Sequence, residues 1–566
     1  MKISIFISKK VLSTSAFILF FLAAYSQSSS SYDNLAKEAF DKKNYDLCIE
    51  YCNKSIAIQP SGWTYWERAA AKYNSYKYSG AVEDYTSAIS YYSDFPSLAN
   101  LYFYRGESYY FDFKYQLAID DYNKAYNYNY NNYGTLYRAR ADAYYFLGNY
   151  TDAKSDYSKC VSYFSSDLKT QSNIYYYIGQ CEKYLKNNDA SLIAFNKALD
   201  IDPGNSKVYE LRANIWAGKN NYTNAIDDIT KAINYGKDQI LSNYFIADDY
   251  KTRAGFYNNL RDYDQAIKDA ESAIATDSLI EINWDLGLYQ HNGGYYKKAI
   301  ESYNKAIAAQ KNDTENIVLL IRNISLCYRD MLDYRSAVDE VNKALSMKMN
   351  FANAYWSRAI YYNSSKLYQK ALDDYDKAIL LLADNKISLA SIYKERGQLY
   401  YSKLKDIDKA ANNYTQMLSL NPDDETTLYE YGRFMVQSKK NIEDGKVKLK
   451  LCADKSLARD TGSNYSYAKL FLGEKEAAFN NMWRLLDKYR NDKYQYKWEL
   501  HVVACLYALS DNPKKAIEYQ EKAFKEGFYD FNHLLNDRDL ISIQNLAEYK
   551  ALLVKYKMPT PKYFVK

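Results

Sequence analysis

Apolar positions recur at helical spacing along most of the chain, in a unit that is clearest between Leu101 and Ala125. One apolar stripe, with positions three or four residues apart, is followed by a short polar turn and then by a second stripe. This pattern predicts two successive amphipathic helices joined by a tight turn. Gly106 and Ala118 stand near the middle of the two stripes, and small residues are expected where antiparallel helices approach closely.

The same skeleton returns about every 33 to 41 residues. A fixed period in this range indicates a solenoid, in which each unit packs against its neighbours. Pro and Gly are scarce, at 7 and 19 of 566 residues, which favours uninterrupted helices. We therefore predict an all-α solenoid of helix-turn-helix repeats. Eleven residues mark equivalent positions in successive units: Cys48, Ala81, Ala118, Ala153, Ser191, Ala225, Ala266, Ala299, Ala337, Ala371 and Ala410.

The repeat reads RG-x-x-Y and then Y-x-x-A-I-x-D-Y-x-K-A-I, and in this form it resembles the tetratricopeptide repeat. The resemblance extends over roughly residues 29 to 525. It implies helix-turn-helix pairs that stack into a right-handed superhelix, with a concave groove lined by the first helix of each pair.

The period also divides the chain into segments. Residues 1–26 are predicted to be an export signal, residues 27–526 the solenoid, residues 527–557 capping helices and residues 558–566 a frayed tail. Within the solenoid, eleven clear repeats span 29–424, degenerate repeats follow at 425–496, and one further repeat occupies 497–526. The capping segment breaks the period, as expected for helices that shield the apolar end of an array.

The N-terminus has the parts of an export signal. Lys2, Lys9 and Lys10 form a basic start, an apolar run extends from Val11 to Ala24, and the cleavage site Ala24-Tyr25-Ser26 follows. We expect cleavage, export to the periplasm or the surface of a Gram-negative bacterium, and no membrane insertion afterwards. An uncleaved anchor is the alternative, although about 14 apolar residues are short for a membrane-spanning helix.

Arginines in the first helices covary with aspartates in the second helices. In six units an Arg is followed sixteen residues later by an Asp, and four units lack both. Arg396, which faces Asn412 or Asn413, is the exception. Because a half-buried charge is costly alone, the covariation predicts a structural ion pair in each of these units. The pairs are Arg68 with Asp84, Arg105 with Asp121, Arg140 with Asp156, Arg212 with Asp228, Arg253 with Asp269, and Arg358 with Asp374.

The composition argues against several classes of function. The formal charge is +5, and three lysines lie in the predicted signal, so too little positive charge remains for a nucleic-acid-binding surface. His291, His501 and His533 are scattered along the chain, and the sequence contains no recognisable catalytic motif. His501 lies near Cys505 on one predicted helix, where core packing is the expected role. We predict no enzyme activity, no cofactor and no metal site, and we interpret the seven cysteines as packing thiols.

A binding function is expected on the face of the first helices that does not pack within a repeat. Aromatic residues and arginines occupy this face, as is typical of hot spots for an extended peptide or a protein loop. Because the chain has 66 tyrosines, the competing interpretation is that these rings only pack between units. The predicted partner-binding residues are Trp63, Trp66, Tyr73, Phe103, Glu107, Tyr110, Arg138, Asp142, Tyr145, Tyr176, Trp284, Arg322, Arg329 and Trp356.

We therefore predict an exported, non-enzymatic scaffold that binds a protein or peptide in its groove. A carbohydrate-binding protein of the cell envelope is the first alternative, because Trp66, Phe103, Tyr110 and Tyr145 could stack on sugar rings. An enzyme with an unrecognised carboxylate site is the second alternative. The identity of the partner and the oligomeric state do not follow from the sequence.

Overall fold

The computed structural model describes residues 28–238, 242–310, 313–382, 385–459 and 462–564, so the predicted export signal lies outside the described residues. Across these ranges the chain consists of α-helices and their connections, with one isolated backbone bridge and no strand. None of the described helices has the length and apolar composition needed to cross a bilayer. The chain divides into two compact units, an N-terminal unit (Met1–Leu241) and a C-terminal unit (Ser242–Lys566).

The described part of the N-terminal unit consists of consecutive helix pairs. The two helices of each pair are joined by a short turn and pack against each other, which confirms the predicted helix-turn-helix architecture. The pairs are α1 (Ser29–Asp41) with α2 (Tyr45–Ile58), α3 (Gly62–Asn74) with α4 (Tyr78–Ile89), α5 (Phe95–Phe111) with α6 (Tyr115–Asn127), α7 (Tyr133–Leu147) with α8 (Tyr150–Cys160), α9 (Leu168–Tyr184) with α10 (Asn188–Ile201), and α11 (Ser206–Gly218) with α12 (Tyr222–Asp238).

The C-terminal unit has the same organisation and ends in three shorter helices. Its pairs are α13 (Asn243–Asn259) with α14 (Tyr263–Thr276), α15 (Asn283–Asn292) with α16 (Tyr296–Ala309), α17 (Thr314–Asp330) with α18 (Tyr334–Met347), α19 (Ala352–Ser364) with α20 (Tyr368–Leu381), α21 (Lys386–Leu399) with α22 (Ile407–Leu420), α23 (Glu425–Gln437) with α24 (Ile442–Ala458), α25 (Asn464–Phe471) with α26 (Lys475–Lys488), and α27 (Lys493–Leu509) with α28 (Pro513–Lys525). The closing helices are α29 (Phe531–Asn536), α30 (Ile541–Gln544) and α31 (Ala547–Lys555).

The two helices of a pair meet at small residues, as the sequence pattern predicts. A Cβ atom added to Gly106 would lie 2.8 Å from the ring of Tyr122, and one added to Gly179 would lie 2.5 Å from the ring of Phe195. Ala118 is fully buried. An aromatic ring of the second helix therefore packs directly on the backbone of the first helix, and this contact sets the separation of the two helices.

All six predicted Arg–Asp ion pairs are confirmed. In each pair Nε and Nη2 of the guanidinium donate two hydrogen bonds to one carboxylate, for example at 2.6 and 2.9 Å between Arg105 and Asp121. The same geometry joins Arg68 with Asp84, Arg140 with Asp156, Arg212 with Asp228, Arg253 with Asp269, and Arg358 with Asp374.

The arginines also reach a third helix, which the sequence pattern did not indicate. Nη1 of Arg140 donates to Oδ1 of Asn123 at 2.7 Å, and Asn123 belongs to the second helix of the preceding pair. Arg212 makes the corresponding bond to Asn196, also at 2.7 Å. Each such guanidinium therefore braces two successive repeats, and it is not available to a partner.

The cysteines occupy core positions. All seven are buried free thiols. Cys48 and Cys160 are fully buried at positions that the repeat fills elsewhere with alanine. Their interpretation as packing residues is confirmed at these positions.

The C-terminal tail is docked, whereas the sequence predicts a frayed end. The backbone N–H of Lys562 donates to the carbonyl oxygen of Leu332 at 2.8 Å. The ring of Tyr563 stacks on that of Tyr334, with centroids 5.9 Å apart. These contacts hold the residues after α31 against α17 to α19, which the repeat pattern cannot reveal because the tail is not part of a repeat.

Candidate partner-binding surface

The predicted partner-binding residues of the N-terminal unit lie on consecutive first helices. Helix α3 contacts α5, and α5 contacts α7, so these helices form a continuous layer. Except for Phe103, the predicted side chains on this layer are half-buried. We name them the first-helix face: Trp63, Trp66 and Tyr73 on α3, Glu107 and Tyr110 on α5, Arg138, Asp142 and Tyr145 on α7, and Tyr176 on α9.

Phe103 does not belong to this surface. Its side chain is only 4% exposed. Its ring stacks on Tyr130, with centroids 4.4 Å apart and an interplanar angle of 15°. Phe103 is therefore a packing residue, which corrects its assignment to the partner-binding face and to the sugar-stacking set.

The two carboxylates of the first-helix face are bound by tyrosine hydroxyls. Tyr122 and Tyr73 donate to Glu107 at 2.6 and 3.3 Å, and Tyr157 donates to Asp142. Burial raises the pKa of Glu107, although these hydrogen bonds act in the opposite direction. Burial also raises the pKa of Asp142, to about 6. Both groups therefore serve mainly to join first helices to neighbouring helices.

Arg138 is the positively charged residue of the first-helix face, and its guanidinium is available for binding. Within the described residues it forms no ion pair and donates no hydrogen bond. Its positive charge partly opposes the burial that raises the pKa of Asp142 and of Glu107, so it lies close enough to influence both carboxylates. Its guanidinium is the group on this face that can bind an incoming carboxylate or a backbone carbonyl.

A row of exposed aromatic rings follows the turn side of the same helices. Each ring lies on the last or next-to-last residue of a first helix and stacks on a tyrosine that begins the second helix of the preceding pair. The centroid distances are 5.2 Å for Phe111 on Tyr78, 5.7 Å for Phe146 on Tyr115, and 4.4 Å for Tyr184 on Tyr150. Phe111, Phe146 and Tyr184 are 40%, 51% and 50% exposed, and we name these three residues the aromatic edge.

The predicted tyrosines of the first-helix face support the aromatic edge. The ring of Tyr73 contacts Phe111 edge-on at a centroid distance of 5.9 Å. Tyr145 contacts Tyr184 in the same way at 6.1 Å. Sequence reasoning did not identify the edge itself, although an aromatic residue at the end of successive first helices was a visible signal.

Trp66 and Tyr176 have internal partners as well. The ring of Trp66 contacts Tyr92 edge-on at 5.9 Å, and the amide of Gln180 donates to the hydroxyl of Tyr176 at 2.6 Å. These side chains are ordered before any partner binds, so little side-chain entropy would be lost on binding.

The predicted residues of the C-terminal unit make internal contacts. Nε of Arg322 donates to the hydroxyl of Ser357 at 3.2 Å, and Nε1 of Trp356 donates to Glu395 at 2.9 Å. Trp284 packs against the core cluster formed around Ala299 and Cys327.

Arg329 is paired too. Its Nε donates to Asp330 at 2.7 Å, and Asp330 also lies 2.9 Å from Nε2 of His291. Arg329 and His291 thus both contact the carboxylate of Asp330 within the C-terminal unit.

The capping segment contacts the equivalent first-helix positions of the C-terminal unit. Arg538 pairs with Glu430 on α23, and Asp539 lies 2.5 Å from Nη1 of Arg433 on the same helix. Trp356 packs against the core cluster that also contains Leu534 of α29. The chain's own C-terminus thus uses this surface, whereas the aromatic edge of the N-terminal unit is exposed.

A cavity of about 880 Å³ lies in the C-terminal unit, next to His291, Lys497, Phe528 and Lys555. Its size would suit a small ligand. Two of its lysines already have partners, however: Lys555 binds Glu521 at 2.6 Å, and Lys497 donates to a backbone carbonyl at 3.0 Å. The aromatic edge is therefore the stronger candidate.

Two family models described as tetratricopeptide repeat match the chain. One matches residues 138–206 and 259–314, and the other matches residues 29–61 and 390–424. These segments lie in both units and overlap helix pairs of the structure.

Two curated relatives are similar over part of the chain. Stress-induced-phosphoprotein 1 of Caenorhabditis elegans is 22% identical over 206 residues, which cover 31% of this chain and 63% of the relative. Small glutamine-rich tetratricopeptide repeat-containing protein 2 of Saccharomyces cerevisiae is 27% identical over 166 residues, which cover 29% of this chain and 42% of the relative. The chain thus spans less than two thirds of either relative.

One similar solved structure is the C-terminal part of a TPR repeat-containing protein from Cytophaga hutchinsonii. It matches at 22% identity and a TM-score of 0.39, and the match covers 47% of this chain and 97% of that one. Yeast Tom70 matches at 15% identity and a TM-score of 0.37, covering 81% of this chain and 97% of that one. Because these TM-scores are low, the assignment rests on the family models together with the observed helix pairs. Segments of both units therefore match the tetratricopeptide repeat.

Proposed function

We propose that this chain is a non-enzymatic scaffold that binds an extended peptide or a protein loop along the aromatic edge, with Arg138 orienting the partner. The regular row of exposed rings, each supported by a stacked tyrosine, is the observation that carries this proposal. Large aromatic side chains and arginine are the residue types that dominate the affinity of protein interfaces.

The physical basis is preorganisation. The rings of Phe111, Phe146 and Tyr184 are held by stacking on the preceding repeat, so a partner would bury them without ordering them first. Arg138 would add directional hydrogen bonds to an acidic side chain or to backbone carbonyls of the partner. Arg140 on the same helix would not contribute, since it is bound to Asp156 and Asn123.

We also propose that the chain acts outside the cytoplasm, in the periplasm or at the cell surface. The basic, apolar and small-residue pattern of residues 1–26 supports this part of the proposal. Cell fractionation of the full chain and of a variant that lacks residues 2–26 would test it. We expect only the full chain to leave the cytoplasm, and equal distribution of the two would contradict export.

The binding proposal can be tested by site-specific photocrosslinking in cells. A photoreactive amino acid replaces Phe146 on the aromatic edge, and in a control it replaces Ile193, which is 59% exposed on the second helix α10. We expect a discrete protein adduct from position 146 and none from position 193. The captured protein is then purified, and its affinity is measured for the full chain and for Arg138→Ala.

We expect Arg138→Ala to weaken this affinity about tenfold, which corresponds to about 1.4 kcal/mol. Its thermal stability should equal that of the unmodified chain. Equal crosslinking from both positions would contradict a specific edge. A specific glycan-array signal in the absence of any protein adduct would favour the carbohydrate-binding alternative.

A further inference from the structure

Four side chains with metal-ligating atoms converge in the C-terminal unit. His501 and Cys505 are four residues apart on α27 and thus share one face of the helix. His533 on α29 and Asp537 immediately after it approach this face from the capping segment. The side chains of His501 and Cys505 are almost completely buried.

The distances among the ligating atoms of His501, Cys505 and Asp537 fit three corners of a tetrahedral centre, and His533 approaches two of these atoms. Oδ2 of Asp537 lies 3.2 Å from Nε2 of His501 and 3.3 Å from Sγ of Cys505, and these last two atoms are 3.5 Å apart. Nε2 of His533 lies 3.2 Å from Nε2 of His501 and 3.5 Å from Oδ2 of Asp537. Tetrahedral zinc with its usual bonds to N, O and S places neighbouring ligand atoms about 3.3–3.6 Å apart.

The orientation of the His501 ring also suits a metal ligand. Oε1 of Gln520 lies 2.8 Å from Nδ1 of His501 and, as an amide oxygen, can only accept, so Nδ1 carries the proton. In the neutral ring the lone pair of Nε2 then faces the carboxylate of Asp537. Two acceptor atoms at this distance need a proton or a cation between them. A hydrogen bond to the outer ring nitrogen is the usual second contact of a metal-bound histidine.

The aromatic surroundings fix the ring plane. Phe528 stacks on His501, with centroids 4.5 Å apart and an interplanar angle of 14°. The ring of Trp498 contacts the ring of His533 at 5.3 Å. The cluster is therefore oriented from two sides by side chains that are not themselves ligands.

We propose that His501, Cys505, His533 and Asp537 bind one zinc ion. A thiolate, two imidazoles and a carboxylate match the preferences of Zn²⁺, and four protein ligands leave no open position for catalysis. As the zinc–sulfur bond forms, the thiol proton of Cys505 passes to solvent. The ion would be structural, because it ties α27 to the capping segment that contacts α23.

A protonated hydrogen-bond network of the same four residues is the competing account, and it predicts no metal binding. To decide between them, the full chain is purified under reducing conditions, stripped with a chelator and titrated with Zn²⁺. Bound zinc is quantified by elemental analysis, and Co²⁺ serves as a spectroscopic probe of geometry and thiolate ligation. We expect one equivalent of zinc, a tetrahedral cobalt spectrum with a thiolate charge-transfer band, and a rise in melting temperature on zinc addition.

Two ligand variants and two matched controls complete the experiment. Cys505→Ser and His533→Ala should lower zinc affinity at least 100-fold, while Cys452→Ser and His291→Ala should retain it. Gln520→Leu should lower the affinity about 10- to 100-fold, since it removes only the outer hydrogen bond of His501. Circular dichroism establishes that each variant is folded.

The proposal is overturned if the stripped, folded chain takes up no stoichiometric zinc, or if uptake persists in the Cys505→Ser/His533→Ala double variant. A cobalt spectrum that lacks the thiolate band would also overturn it. This last measurement uses the unmodified chain, so it decides the matter even where a variant fails to fold.

Discussion

Removing Arg140 should destabilise the N-terminal unit far more than removing an exposed basic residue, because the aspartate that Arg140 binds is buried. Arg140 donates to Asp156 at 2.6 and 3.1 Å and to Asn123 at 2.7 Å. The Asp156 side chain is only 4% exposed, so water cannot replace the lost partner, and only the half-exposed Lys159, whose Nζ lies 3.0 Å from Oδ1 of Asp156, would still contact the carboxylate. Breaking a buried pair from one side costs about 3–5 kcal/mol, and we expect Arg140→Met to lower the free energy of unfolding by this amount.

A double-mutant cycle separates the energy of the ion pair itself from the cost of leaving one buried charge without its partner. Arg140→Met and Asp156→Leu are made singly and together, and urea unfolding is followed by circular dichroism. The double variant should recover most of the loss, since an apolar pair leaves no buried charge without a partner. Hydrogen exchange should localise the opening of Arg140→Met to α7, α8 and their neighbours, because each repeat contacts mainly the next one.

An exposed ion pair in the same unit is the control for this cycle. Lys231 and Asp227 lie 2.8 Å apart on α12, with side chains 44% and 66% exposed. Lys231→Met should cost no more than about 0.5 kcal/mol. If Arg140→Met costs as little as Lys231→Met, the repeated Arg–Asp pairs are not braces and the reasoning from burial fails.

Three further results are expected. Gly179→Ala should lower the free energy of unfolding by about 1–3 kcal/mol, because the new Cβ atom would lie 2.5 Å from the Phe195 ring. Gly218→Ala is the control and should not lower it, because no atom lies within 4 Å of a Cβ at that position. Equal losses for the two variants in urea unfolding would refute the importance of the Phe195 contact. Since the pKa of Asp142 is about 6 in the folded chain, above the ordinary value near 3.9, the folded state binds the proton more tightly and stability should rise as pH falls from about 6 to 4. In Asp142→Asn this rise should shrink, by up to about 3 kcal/mol in pH-dependent unfolding, and an unchanged profile would contradict it. Deletion of residues 558–566 should speed limited proteolysis of the C-terminal unit, since it removes the docked tail, and an unchanged cleavage rate would indicate that the docking adds nothing.

The repeat and its ion pairs could be predicted because both are local in sequence. Arg105 and Asp121 are sixteen residues apart in one unit, so a single repeat contains the whole interaction and many copies reveal it. The additional bond from Arg140 to Asn123 crosses a repeat boundary and was missed. An asparagine two residues after the Asp of the preceding unit was its only sequence signal.

The contacts of the capping segment could not be predicted for the opposite reason. Arg538 meets Glu430 across 108 residues, and Lys562 meets Asp333 across 229 residues. Neither pair recurs in other repeats, so a comparison of the repeats with one another cannot reveal these contacts. The same limit applies to His533, which joins His501 only because α29 folds back on α27.

The arginines of α7 show why binding is better assigned to the N-terminal unit. Arg138 and Arg140 are two residues apart, so on a helix they point about 200° away from each other. Arg140 therefore faces Asp156, and Arg138 faces away from it with no partner among the described residues. In the C-terminal unit the arginine at the equivalent position is Arg322, which donates to Ser357 and whose pKa is lowered by burial. At this repeat position Arg138 is thus available and Arg322 is already bound, so a partner that needs an arginine here would find it in the N-terminal unit.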